Sequence, residues 1–126
     1  MNITDLGRAS LQVRDLAVSE RFYARVLRMP VASRCARGSR VGFRVGDGRE
    51  FVLEPVPESM DIRPDSIRAA QIAFVVGNNP RTLHEAAQHL SEQGVHFEQI
   101  AHAEYESLYV RDPDGHLIEL YYWPEW

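Results

Sequence analysis

Residues Leu108–Leu120 read LYVRDPDGHLIEL, two short β-rich runs on either side of Asp112-Pro113-Asp114-Gly115. That tetrapeptide suits a type I turn, with Asp opening it, Pro setting φ at the next position and Gly where φ turns positive. The run after the turn carries one carboxylate, Glu119, between Ile118 and Leu120. Side chains alternate across a strand, so Glu119 points away from the face its two apolar neighbours bury. If the opposite face lines a pocket, Glu119 is a candidate site residue.

Working outward, the pattern predicts a strand at 8–14, a helix at about 16–27, and strands near 31–37, 41–45 and 50–55. Asp15 is the expected helix N-cap, and Gly46-Asp47-Gly48 the expected hairpin turn. Three prolines and several polar residues between Pro55 and Ser66 read as a linker. A strand at 71–76 follows, then a helix opened by Asn79 and Pro80 with an apolar stripe of Leu83, Ala87 and Leu90 and a stop at Gly94. Strands near 95–101, 107–111 and 116–122 complete the order. This is βαβββ twice, an α+β chain. Leu11 and Val13 fall on Phe74 and Val76 at an offset of 63, and Asp47 and Glu54 fall on Asp112 and Glu119 at an offset of 65. At the latter offset Arg44 falls on Tyr109.

Composition narrows the function. The 126 residues allow one well-packed domain. A formal charge of -4 fits nucleic-acid binding poorly. No apolar run reaches the roughly 18 residues that span a bilayer, and no signal-peptide layout opens the chain, so the expected compartment is the cytoplasm. All 14 basic residues are arginine, which excludes lysine Schiff bases and a P-loop lysine. The single cysteine, Cys35, cannot form an internal disulfide and is expected to pack. The five histidines include no i, i+4 pair; most are expected at the surface, with His102 an outside candidate near a loop.

LQVRDLAVSERFYARVL (Leu11–Leu27) and YVRDPDGHLIEL (Tyr109–Leu120) resemble the vicinal oxygen chelate superfamily, which holds glyoxalase I, fosfomycin- and bleomycin-resistance proteins, epimerases and extradiol dioxygenases. The first looks like the family's opening strand and helix, the second like its closing hairpin. Arg28 stands where many relatives carry a glycine. The resemblance implies a single domain of two βαβββ modules, at about 6–56 and 69–123 with a linker at about 57–68, whose curved sheets enclose a cleft, often in a homodimer. In metal-dependent members four strands each offer one ligand to a divalent ion. Carried over, those positions are Arg8, Glu54, Gln71 and Glu119.

Glu54, Gln71 and Glu119 are acceptable hard-metal ligands. Arg8 is not, because its guanidinium has no lone pair and stays charged. Should the first strand be shifted by two, Ser10 takes that place and is also a poor ligand. The expectation is therefore an impaired metal site in which Arg8 bridges the glutamates, and a resistance- or sequestration-type binder of a small molecule. Arg8, Gln12, Arg44, Glu54, Gln71 and Tyr109 would contact the ligand. One alternative is a metal-dependent lyase, isomerase or dioxygenase with Mn, Fe, Ni, Zn or Co on Glu54, Gln71 and Glu119. Another is a metal-free enzyme using Arg8 as anion clamp and Glu119 as general base.

Overall fold

The computed structural model describes residues 1–35, 39–55 and 69–124. The linker expected at about 57–68 and the last two residues, Glu125 and Trp126, lie outside them. The chain divides into two compact units, Met1–Arg68 and Ala69–Trp126. Each contains one βαβββ set, so the α+β reading holds.

In the first unit β1 (Ala9–Gln12) leads into α1 (Leu16–Arg21), which continues as a π-helical turn over Phe22–Val26. β2 (Val31–Arg34), β3 (Val41–Val45) and β4 (Arg49–Glu54) follow, and the sheet order is β1-β4-β3-β2 with β1 parallel to β4. The carboxylate of Asp15 caps α1 by accepting the Val18 N–H at 3.2 Å. The helix does not run evenly to residue 27 as its apolar spacing predicts. The Leu27 N–H bonds back to the Phe22 carbonyl and the Met29 N–H to that of Tyr23. The widened turn ends at Arg28, whose φ of 56° lies in the left-handed region. A side chain in that region crowds the backbone. Tyr23 is fully buried, its ring 5.2 Å from Phe51 and 6.1 Å from Phe43. Leu11, Val13, Val41 and Leu53 complete this core.

In the second unit the order is β5 (Gln71–Gly77), α2 (Pro80–Glu92), β6 (Glu98–Ala101), β7 (Glu106–Arg111) and β8 (Leu117–Tyr122). The sheet runs β5-β8-β7-β6 with β5 parallel to β8. Asn79 accepts the Arg81 and Thr82 N–H groups at 3.0 and 3.3 Å, Pro80 occupies the first turn, and Gly94 takes φ of 69° past the C-terminus. Leu83 and Leu90 on α2 are buried, as are Leu108, Val110, Ile118, Leu120 and Tyr122 on the strands. Glu119 is left on the opposite face, as alternation requires.

The closing hairpin is held by a buried carboxylate. The Gly115 N–H bonds to the Asp112 carbonyl at 3.0 Å, and Gly115 has φ of 84°. Asp112 Oδ1 accepts the N–H of Asp114 at 2.9 Å and of His116 at 2.8 Å. His116 is 1% exposed, an exception to the surface placement expected of most histidines. Its Nδ1 accepts the Ala70 N–H at 2.9 Å, which ties the start of β5 to β8.

Two stability outcomes follow from these backbone features. Arg28→Gly relieves the left-handed residue and raises the unfolding free energy by about 0.5–1 kcal/mol in urea titration, the gain being reduced by the freer unfolded chain. Asp112→Ala leaves two inward-pointing N–H groups without their acceptor and lowers it by about 1–3 kcal/mol in the same assay.

Candidate functional site

The open face of the second sheet, away from α2, carries a convergent polar group. Ser107 on β7 is fully buried and its hydroxyl donates to Glu119 Oε2 at 2.5 Å. His102 lies beyond β6, where its N–H bonds to the Tyr105 carbonyl at 2.8 Å and closes a tight turn into β7. That turn brings His102 Nε2 to 3.1 Å from Ser107 Oγ, 3.3 Å from the Tyr109 hydroxyl and 4.0 Å from Glu119 Oε2. The side chain of Glu119 is 12% exposed and that of His102 31%, so both are sheltered yet reachable.

Proton bookkeeping limits how this group is wired. Ser107 has one proton and gives it to Glu119, so toward His102 its oxygen can only accept. With the proton on Nε2, His102 donates to Ser107. With the proton on Nδ1, the Nε2 lone pair accepts from Tyr109. The two tautomers differ by where one proton sits, and such a group can take a proton from a ligand or hand one over. Tyr109 is held in its neutral form. Its pKa is raised above the usual phenol value, first by burial and next by the negative charge of Glu119.

Aromatic rings border this group. His102 stacks on Tyr105 at 4.5 Å, and Tyr105, Tyr121 and Trp123 lie 5.5–6.2 Å apart as a cluster. An open depression of ≈ 600 Å³ on this unit is lined by Val75, Gly77, Asn78, Tyr121 and Trp123. Ala73 sits opposite Glu119 on the β5 side, and its small side chain leaves that flank of the carboxylate uncrowded.

The expected site residues divide between the units. Arg8, Gln12, Arg44 and Glu54 belong to the first; Gln71, Tyr109 and Glu119 belong to the second. Within the second, Tyr109 sits directly opposite Glu119, whereas Gln71 pairs with Leu117, two residues before it. In the first unit the strand register corrects two equivalences. Ser10 pairs with Val52, two before Glu54, so Ser10 rather than Arg8 is the counterpart of Gln71; Arg8 precedes the strand. Arg44 pairs with Glu50, and one step beyond the Val41–Leu53 pair it is Arg40 that meets Glu54. Their guanidinium and carboxylate are 3.9 Å apart. The bridge to Glu54 expected of Arg8 is therefore made by Arg40.

The second hairpin has a longer turn than the first. Three residues separate β3 from β4 and five separate β7 from β8, which shifts the pairing and defeats matching by a single offset. The engagement of His102 escapes the strand pattern for a related reason. Its role depends on the turn through Ala103 and Glu104, and a strand pattern alone does not locate that turn.

A second polar group needs separating from this one. Ligand atoms of Asp112, Asp114 and His116 lie within 4.8 Å of one another, as a metal-binding set would. The backbone already occupies two of these atoms, however. Asp112 Oδ1 takes two N–H groups, and His116 Nδ1 takes that of Ala70, which leaves Nε2 to carry the ring proton in the neutral form. These residues lock the hairpin.

The family follows from comparison with known proteins. Residues 5–120 match the Glyoxalase/Bleomycin resistance protein/Dioxygenase superfamily, and the chain belongs to it. It is 29% identical over 120 residues to a catechol-2,3-dioxygenase of Bacillus subtilis (strain 168), a match covering 94% of this chain and 41% of that protein. The chain thus spans about two fifths of that relative's length. Among solved structures, a protein from the mobile metagenome of V. Pseudocholerae shares 26% identity at a TM-score of 0.71, over 99% of this chain and 98% of that one. Lactoylglutathione lyase from Agrobacterium tumefaciens shares the fold at a TM-score of 0.80 and 18% identity, over 97% and 96% of the two chains. Among the described residues no helix is long and apolar enough to cross a membrane.

Glu119→Gln removes the charge beside Tyr109 and brings its titration part of the way back toward the ordinary range. The return is partial because burial, the larger cause, remains. A pH titration of phenolate absorbance, with Tyr109→Phe as reference, reads this directly. An unchanged titration would mean that the two groups do not interact.

Proposed function

We propose that the open face of the second sheet binds a small molecule bearing an aromatic ring and a proton-donating substituent, without a metal at the family's four-strand position. The observation that carries this reading is the convergence of Ser107, His102 and Tyr109 on Glu119 beside the Tyr105, Tyr121 and Trp123 rings. A phenol-class substituent would donate to Glu119 while its ring packs on the aromatic cluster. Glu119 is the general base should the ligand react, with the His102–Ser107 pair able to accept or return the proton. Unreacted, the same contacts would serve sequestration.

The donor chemistry supports the metal-free part. Neither Arg8 nor Ser10 offers the first strand a good metal ligand. Glu119 Oε2 already takes a short bond from Ser107. A second reading, a metal-dependent dioxygenase with Glu54, Gln71 and Glu119 as ligands, is favoured by the similarity to a catechol-2,3-dioxygenase. In both readings the protein acts in the cytoplasm as a homodimer with small molecules as its partners.

Calorimetric titration with phenol and with catechol, before and after supplying Mn, Fe, Ni, Zn or Co, separates the two. The first reading expects binding that is independent of metal and weakened about tenfold or more by Glu119→Gln, the loss of a charge-assisted hydrogen bond. Stoichiometric metal that is lost in Glu119→Gln, with binding only to the metal-loaded protein, would establish the second reading in its place. Ser10→His provides a cross-check: created or strengthened metal binding would support Ser10, the register counterpart of Gln71, as the impairing residue.

A further inference from the structure

The two units share the charged residues unevenly. Twelve of the fourteen arginines, against nine acidic residues, lie in Met1–Arg68, a formal charge of +3. The other two, against nine acidic residues, lie in Ala69–Trp126, a formal charge of -7. We propose that one end of the first unit docks on an anionic lipid surface, its arginines facing the headgroups while Ile3 and Leu6 enter the layer beneath.

Topology assembles that end. β1 runs parallel to β4, β3 antiparallel to β4, and β2 antiparallel to β3. The start of β1, the β3–β4 turn and the start of β2 therefore lie together. α1 begins beyond the far end of β1, and its π-helical turn returns the chain to the start of β2. The Arg44 N–H bonds to the Pro30 carbonyl at 3.1 Å, which fixes the helix exit beside the end of β3. Five arginines gather in this way: Arg8 before β1, Arg25 and Arg28 at the helix exit, and Arg44 and Arg49 about the β3–β4 turn. All five are exposed, and among the described residues no ion pair holds any of them. The acidic residues of the same segments are Asp5, Asp47 and Glu50, so positive charge prevails. Asp5 accepts the neighbouring Leu6 N–H at 2.7 Å, and Glu50 shares a 3.4 Å hydrogen bond with Ser33.

The same end carries uncovered aliphatic side chains. Ile3 is 84% exposed and Leu6 78%, on the irregular segment that leads into β1. Val31, which opens β2, is 38% exposed. Exposed arginines alone suit any polyanion. Aliphatic side chains among them gain nothing from a sugar-phosphate backbone, and they gain by leaving water for acyl chains. Apolar insertion and basic charge are each weak anchors, and together they hold a protein at a bilayer surface. A planar surface also meets one end of a protein only, whereas a long flexible polyanion would meet the -7 unit as well.

Co-sedimentation of the intact, untagged protein with lipid vesicles tests this. One set holds equal parts of phosphatidylglycerol and phosphatidylcholine, the other phosphatidylcholine alone. Binding to the mixed vesicles that falls as salt rises is expected, with little binding to phosphatidylcholine. Ile3→Ser combined with Leu6→Ser should weaken it about tenfold or more. Arg25→Ala and Arg28→Gly should each weaken it about fivefold. Arg28→Gly removes the charge and relieves the left-handed backbone together, so a loss in that variant does not come from unfolding. Arg81→Ala, which removes an exposed arginine of the second unit, should leave binding unchanged. No binding to the mixed vesicles overturns the proposal. Losses in Arg81→Ala equal to those in Arg25→Ala do so too, since they would mean diffuse attraction. Binding indifferent to the Ile3→Ser, Leu6→Ser pair overturns it as well, leaving charge alone. Self-association in sedimentation velocity that this pair abolishes, without vesicle binding, would assign the end to a second copy instead.

Discussion

The buried carboxylate of Asp112 is the interaction on which the second unit's site depends. By accepting two backbone N–H groups inside a five-residue turn, it sets which residues of β7 and β8 face each other. From that register Tyr109 meets Glu119 and Ser107 meets Tyr121. His116 extends the constraint sideways by accepting the Ala70 N–H, so β5 enters beside β8 with Ala73 against Glu119. A one-residue slip in either pairing would turn Glu119 into the core and Ile118 out of it. The hairpin's acidic and imidazole groups therefore act through backbone geometry, while the chemistry lies one strand-length away.

The two βαβββ units share an order of elements and differ in how they dispose charge. In the first, Glu54 faces Arg40 and forms a loose ion pair. In the second, Glu119 faces Tyr109 and accepts from a buried serine. An exposed ion pair of the first kind contributes little to stability. A sheltered carboxylate with hydroxyl and imidazole neighbours is instead suited to holding or moving a proton. A single topology thus supports two different surfaces, one carrying an exposed ion pair and one a sheltered carboxylate among a hydroxyl, an imidazole and a phenol. Membership in the glyoxalase, bleomycin-resistance and dioxygenase superfamily fits that division, since the fold hosts several chemistries and function is set by the side chains grafted onto it.

Sequence alone determined the order of elements, both helix caps, and the face on which Glu119 lies. These are local: period-two alternation, an Asp or Asn before a helix, and a glycine past its end act over a few residues. The family resemblance was legible for the same reason, because its motifs are short and contiguous. Two conclusions required the tertiary structure. Which residue stands opposite which across strands depends on turn length and on register between strands distant in sequence: a three-residue turn in one hairpin against five in the other moved Arg40 to Glu54, and the parallel β1–β4 pairing put Ser10 in the place expected of Arg8. The engagement of His102 likewise rests on a turn whose position no periodicity marks. Long-range pairing is decided by the sum of many weak contacts and by where the chain reverses. The stretch LYVRDPDGHLIEL could therefore show that a carboxylate faces outward, and only the folded sheet shows that it meets a serine, a histidine and a tyrosine there.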